Sequence, residues 1–383
     1  MSRVIHSARL IDGGHEIADS WLVVRAGRVT ARGTGDSWRD ALAVAPVDEV
    51  IDAQAVGGPR AVITPGFIDI HGHGGGGAAY DDGAEAIRAA RELHRAHGTT
   101  RAVISLVTAS VDDLAHRVAA IADLTESDAT VLGSHLEGPF LDPGHHGAHD
   151  PALLARPDPD AVARLLEAGR GTVRQVTIAP ELPGATAAIE RIVDAGAAAA
   201  VGHTDADADA ARSAFDAGAT ILTHAFNAMP GLHHRAPGPI GAAAADPRVI
   251  LEVIADGVHL APEVVRIAFA AAPGRIALVT DAMAAAGSAD GDYVLGALAV
   301  RVEGAVARLA DGTIAGSTLT QDAALRTAVA AGVPLTEAVV ALTSTPARAI
   351  GRHDLGSLAV GSTADVVLLG ADLHVRRVWT GRV

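Results

Sequence analysis

An eight-stranded parallel β/α barrel of the TIM type, with a small β-sandwich formed from both chain ends, is the α/β fold class predicted for this 383-residue chain. Three observations predict it: apolar, β-rich runs recur eight times with helical stretches between them, strand-like segments occupy both ends, and metal-binding residue types sit where the apolar runs stop. The length suits one barrel of about 250 residues with a small companion. Hydrophobic residues make up 49% of the chain and aromatics only 3%. The excess is alanine and valine, as in short buried strands alternating with small-residue helices.

At the N-terminal end, residues 4–10, 21–25, 28–31 and 47–52 read as short strands separated by Gly and Asp turns. Residues 358–360, 364–369 and 375–379 repeat the pattern at the other end around Gly361 and Gly370. Residues 1–62 and 351–383 are therefore expected to pair into one discontinuous sandwich domain. Inside residues 63–350, apart from a slight overlap at the start, the eight runs are 62–70, 101–107, 131–136, 173–178, 198–202, 220–223, 249–254 and 276–280. Residues 84–97, 112–124, 159–168 and 262–272 carry apolar positions at three- and four-residue spacing, as surface helices do. A β-hairpin insert near 292–311, with strands 293–300 and 306–310 and a turn at Glu303 and Gly304, is expected after the eighth strand.

Charge and composition exclude several functions. A formal net charge of −15 argues against a nucleic-acid partner, which needs a basic stripe. An anionic substrate would need a local basic pocket. Neither a charged leader with an apolar core nor a membrane span is indicated, and the expected location is cytoplasmic. There is no cysteine, and all 30 basic residues are arginine. A thiolate nucleophile, a Schiff base and a carbamylated-lysine metal bridge are all excluded.

The first run ends in His71-Gly72-His73, two imidazoles on the same side of a strand end and able to reach one cation. A flexible turn or a phosphate-cradling Gly loop is the alternative, although the Lys and G-x-G-x-x-G spacing of such a loop are missing. The third run places Glu137 at its mouth, a carboxylate that must be salt-bridged or on a metal. The fifth and sixth runs each end in one His, His203 and His224. A lone strand-end His is usually a hydrogen-bonded core residue, but four His and one Glu at equivalent heights form a pattern. Without lysine, Glu137 is the residue to join two cation positions, one held by His71 and His73 and the other by His203 and His224. Such N and O ligation suits a divalent Zn, Fe, Co or Mn ion, one or two per subunit. Asp281 ends the eighth run and is assigned as general base and acid, in competition with a helix N-cap role.

With these residues in view, the chain resembles the amidohydrolase superfamily, and within it the N-acetylglucosamine-6-phosphate deacetylase family. The resemblance lies in Pro65-Gly66-Phe67-Ile68-Asp69-Ile70-His71-Gly72-His73-Gly74-Gly75, His135 to Phe140, Gly202-His203-Thr204, His224 to Pro230, Ala255 to His259 and Val279 to Ala282. It spans nearly the whole chain. It implies that Glu137, His203 and His224 hold the principal metal and that Asp281 is catalytic. It also implies a substrate site of Ala148, His149, Asn227, Ala228, Arg235, Asp256 to His259, and the backbone of Ile314, Ala315 and Gly316. Arg235 is the implied phosphate binder, reaching across a homodimer interface. The implied reaction is deacetylation of N-acetyl-D-glucosamine 6-phosphate to glucosamine 6-phosphate and acetate, in amino-sugar catabolism and cell-wall sugar recycling. His145, His146 and the segment 231–234 depart from the family pattern, which bears on loop closure and specificity. Another amidohydrolase, such as an N-acyl-amino-acid deacylase or cyclic-amide hydrolase, shares the His and Asp set without needing Arg235 or Asn227. A catalytically silent barrel would have lost a ligand or Asp281, and none is lost.

Overall fold

The computed structural model describes residues 2–381; Met1, Arg382 and Val383, at the outer edges of the expected end domain, lie outside the described residues. Eight parallel strands follow one another around the sheet in chain order: Phe67–Asp69, Thr99–Val107, Val131–Glu137, Val173–Ile178, Ala198–Val201, Ile221–Leu222, Ile250–Ile254 and Ile276–Val279. Their faces are covered on both sides, so they read as continuous apolar runs; Thr99–Val107 is buried at every position. The first and last strands meet at the rim. There the Asp281 N–H donates to the His71 carbonyl at 2.8 Å and the His73 N–H to the Ala282 carbonyl at 2.7 Å. Three of the residues singled out for chemistry, His71, His73 and Asp281, thus help to close the barrel.

The surrounding helices form where periodicity and caps agree. Ala84–Ala96 turns Ile87, Ala90, Arg91 and His94 inward at three- and four-residue spacing. Val111–Ser127 starts at Ser110, whose hydroxyl accepts the Asp113 N–H at 3.1 Å.

Two expectations change. The run 62–70 is not one strand: Val62–Pro65 pairs with Arg3–Asp12 and Val366–Leu369, and only Phe67–Asp69 enters the barrel. Gly66 makes the division possible, because a Cβ there would stand 2.2 Å from the Thr100 hydroxyl. The hairpin insert is a three-stranded meander of Gly291–Leu295, Leu298–Glu303 and Val306–Arg308. The run 293–300 turns back at Gly296, whose φ of +57° favours glycine. Leu295 and Val300 pack with Val107 and Met283, at the ends of the second and eighth barrel strands.

Strands from both chain ends share one seven-stranded sheet, in the order Val375–Trp379, Val366–Leu369, Val62–Pro65, Arg3–Asp12, His15–Arg25 and Arg28–Thr34, with Glu49–Asp52 beside Arg3–Asp12. The sheet curls back on itself: the Val29 N–H donates to the Ser362 carbonyl and the Ala364 N–H to the Gly27 carbonyl, at 3.0 and 2.8 Å. Ile5, Leu22, Ile51, Ile63, Val366 and Leu368 fill its interior. A buried ion pair ties it to the barrel, with Arg101 Nε 2.5 Å from Asp365 Oδ2. Among the described residues no helix is long and apolar enough to cross a membrane.

Candidate metal centre

The strand ends bring the five candidate ligands and Asp281 to one place. His71, His73, Glu137 and Asp281 each offer a donor atom within 4.8 Å of the others. Glu137 lies at the middle: its Oε1 is 3.1 Å from His71 Nε2 and 3.2 Å from both His203 Nε2 and His224 Nε2, while its Oε2 is 2.9 Å from His73 Nε2. Asp281 Oδ1 stands 3.3 Å from His73 Nε2 and 3.6 Å from His71 Nε2. His203, His224 and Asp281 all have positive φ, a backbone conformation that non-glycine residues hold only where surrounding structure enforces it.

Hydrogen bonds decide which ring nitrogens face the cluster. His71 gives its Nδ1–H to Glu252 Oε2 at 2.9 Å, and His203 gives its own to the His145 carbonyl at 2.9 Å. Each turns its Nε2 towards Glu137, where a bound ion would take the place of a proton. His71 Nε2 is buried without a hydrogen-bond partner despite the nearby carboxylate, and His203 Nε2 and His224 Nε2 approach to 3.0 Å. Converging ring nitrogens and two carboxylates suit a metal ion.

The charges are strongly interdependent. Burial pushes the Glu137 carboxyl up, but His71 and the imidazoles around it outweigh burial and hold it well below the usual range. Burial likewise opposes ionisation of Asp281, which His71 and His73 nevertheless hold down at about 2. His149 is different. Burial lowers it to about 4, and the Thr108 N–H donates to its Nδ1 at 3.3 Å. With Nδ1 accepting, the proton sits on Nε2, which faces Glu137 Oε2 at 3.5 Å; Glu137, His149 and His203 also bring donor atoms within 4.8 Å of one another.

A cavity of about 350 Å³ opens over the cluster, a volume suited to a small molecule. Ala148, His149, Asn227, Ala228, His259, Ile314 and Gly316 line it, together with Asp281 and ligands from each side of Glu137. Three expected contacts do not reach it. Ala315 is fully buried, its N–H spent on the Ala307 carbonyl at 3.0 Å and its methyl in the core beneath the meander. Asp256 instead holds His259, accepting from its Nδ1 at 2.7 Å. Arg235 is exposed on the loop after Pro230 and lines a neighbouring groove.

Sequence reasoning missed Glu252, Gln175 and Thr108. Glu252 had a signal, a lone carboxylate inside the apolar run 249–254. Thr108 acts through its backbone, for which no residue type is diagnostic.

A model of the amidohydrolase family matches residues 62–380, and the chain belongs to that family of metal-dependent amide-bond hydrolases. Its relatives narrow the branch to deacetylases of amino-sugar phosphates. The chain is 40% identical to an N-acetylgalactosamine-6-phosphate deacetylase of Escherichia coli O157:H7, over 83% of this chain and 86% of the relative. It is 34% identical to the N-acetylglucosamine-6-phosphate deacetylase of Bacillus subtilis, over 82% of each. Among solved structures, an aspartate-to-alanine mutant of N-acetyl-D-glucosamine-6-phosphate deacetylase from Mycobacterium smegmatis, in complex with N-acetyl-D-glucosamine-6-phosphate, superposes with a TM-score of 0.92 at 43% identity. That match covers 99% of this chain and 98% of the other.

Proposed function

We propose that the chain deacetylates N-acetyl-D-glucosamine 6-phosphate, releasing acetate and glucosamine 6-phosphate. The observation that carries this is His149, its Nδ1 accepting from the Thr108 N–H, and Asp281 facing one cavity above a Glu137-centred ligand cluster, in a chain 43% identical over nearly its full length to a deacetylase of that substrate. The N-acetylgalactosamine epimer is the second reading, favoured by the 40% identical Escherichia coli relative. No relative named above points to an acyl amino acid or a cyclic amide.

In this reading His203, His224 and Glu137 would hold one divalent ion, and His71 and His73 with Glu137 would hold a second. A bound ion supplies Lewis-acid polarisation and makes water acidic enough to act as nucleophile near neutral pH. Asp281 accepts the proton of the attacking water. His149 donates its Nε2–H to the acetamide oxygen as negative charge develops there. When the C–N bond breaks, Asp281 returns the proton to the sugar nitrogen, and the water's second proton passes from the new carboxyl group to the released amine, so acetate and the ammonium form of the amino sugar leave with atoms and charge balanced. Asn227, Ala228, Ala148, His259 and the backbone of Ile314 and Gly316 orient the sugar, with Asp256 fixing the His259 ring.

Arg235, exposed and off the cavity, binds the phosphate of a neighbouring subunit's substrate, which makes the enzyme a homodimer and supplies the positive charge that a chain of −15 needs. The end strands, Arg3–Asp12 to Val62–Pro65 and Val366–Leu369 to Val375–Trp379, form a domain beside the catalytic barrel. A cytoplasmic location suits a substrate that is a charged phosphate ester and does not cross a bilayer unaided. Acetate release from the 6-phosphates of N-acetylglucosamine, N-acetylmannosamine and N-acetylgalactosamine, and from N-acetyl amino acids, tests the assignment. Turnover confined to the sugar phosphates, with the gluco epimer fastest, is expected; preference for an acyl amino acid overturns it.

A further inference from the structure

We propose that Glu252 is a positioning residue that sets the affinity of the His71 and His73 metal position, leaving the His203 and His224 position to its own ligands. The proposal rests on the two-position reading above.

Glu252 is wholly buried in the middle of Ile250–Ile254, whose other members are apolar. Its Oε2 accepts the His71 Nδ1–H at 2.9 Å and the His224 backbone N–H at 3.3 Å, and its Oε1 accepts from Gln175 Nε2 at 2.7 Å. Every bond is to a neutral group or to His71. Among the described residues no arginine pairs with it. A buried carboxylate without a cation is costly, and it is not retained cheaply in an apolar strand. The countercharge has to arrive through the imidazole.

His71 is built to transmit it. With Nδ1–H committed to Glu252, the Nε2 lone pair is aimed into the cluster, where it has no hydrogen-bond partner. Such a carboxylate–histidine pair raises the basicity of the ligating nitrogen and fixes the ring. The ring is also braced edge-on by His135 at 4.6 Å between centroids, and His135 is itself held by Ser105 Oγ and Thr177 Oγ1 at 2.9 and 2.8 Å.

The other ligands lack this support. His203 gives its Nδ1–H to a neutral carbonyl, and the Nδ1 atoms of His73 and His224 are buried without partners. Only one of the four imidazoles is backed by a carboxylate, and it lies on the first-strand side. Loss of that charge therefore acts on one position selectively, although Oε2 also touches the His224 backbone. An amide at 252 can still accept that backbone N–H.

The test is equilibrium dialysis of metal-free wild type and Glu252→Gln against graded free zinc, with ions per chain counted by elemental analysis. Two classes of ion are expected in wild type. In Glu252→Gln one class should weaken about 10- to 100-fold while the other keeps its affinity. The weakened class should be the one that a His73→Ala variant also loses. Gln175→Leu, which keeps the carboxylate but removes the donor to its Oε1, should weaken the same class by less, and serves if Glu252→Gln does not fold. Unchanged affinities in Glu252→Gln, equal weakening of both classes, or a single class in wild type that the substitution leaves alone would each overturn the proposal. Acetate release by the wild type reports separately on the deacetylase reading.

Discussion

The backbone N–H of Thr108 lies 3.3 Å from Nδ1 of His149, and this one contact fixes which nitrogen of the ring carries the proton. Nδ1 must accept, so Nε2 donates towards the cavity, and burial keeps the ring neutral at about 4. His149→Ala should lower kcat about 100- to 1,000-fold with metal content unchanged, because an oxyanion donor is lost and no ligand is. Metal analysis beside steady-state kinetics checks it. Loss of an ion from this variant would make His149 a ligand instead.

Arg235 is exposed and outside the cavity of its own chain. Arg235→Ala should raise KM for the phosphorylated substrate about 10- to 100-fold, the worth of one charge-assisted contact, and leave kcat/KM for unphosphorylated N-acetylglucosamine unchanged. Mixing Arg235→Ala chains with Asp281→Asn chains should restore activity, since a mixed dimer has one site with Asp281 from one subunit and Arg235 from the other. No recovery on mixing would place Arg235 in its own chain's site or outside any site.

His94 supports the turn after His73 by bonding its Nε2 to the Gly74 carbonyl at 2.8 Å. Burial lowers its pKa from 6.5 to about 4. Above about pH 6.5 it is neutral folded and unfolded and adds no slope. Between about 6.5 and 4 the unfolded chain takes up the proton first, so stability falls as pH falls, and below about 4 the loss is complete at about 3 kcal/mol. His94→Gln should lose this dependence. Urea unfolding at pH 7, 5.5 and 4 should show the gap between the two proteins closing by that amount; parallel profiles would contradict it.

The barrel was legible because strands covered on both faces are continuous apolar runs, and the candidate cluster because polar residues interrupted those runs at their ends. The division at Gly66 was not, since Val62–Pro65 takes its partner from Val366–Leu369, some 300 residues away in a chain of 383. Gly296 was likewise hidden inside an apparently continuous strand. The role of Glu252 depends on His71, which reaches it from the first strand to the seventh, a relationship that spacing does not encode. Ala315 shows the limit of carrying a loop over whole. Of three adjacent residues, Ile314 and Gly316 face the cavity and Ala315 faces the core.

Asp281 carries the central claim, because it is the one group assigned to move a proton in both halves of the reaction. The direct test is Asp281→Asn, loaded to the same metal content as wild type and assayed for acetate release from N-acetylglucosamine 6-phosphate. A fall in kcat of about 100- to 10,000-fold with metal retained is the expected result. Near-normal turnover in that metal-replete protein would contradict the account.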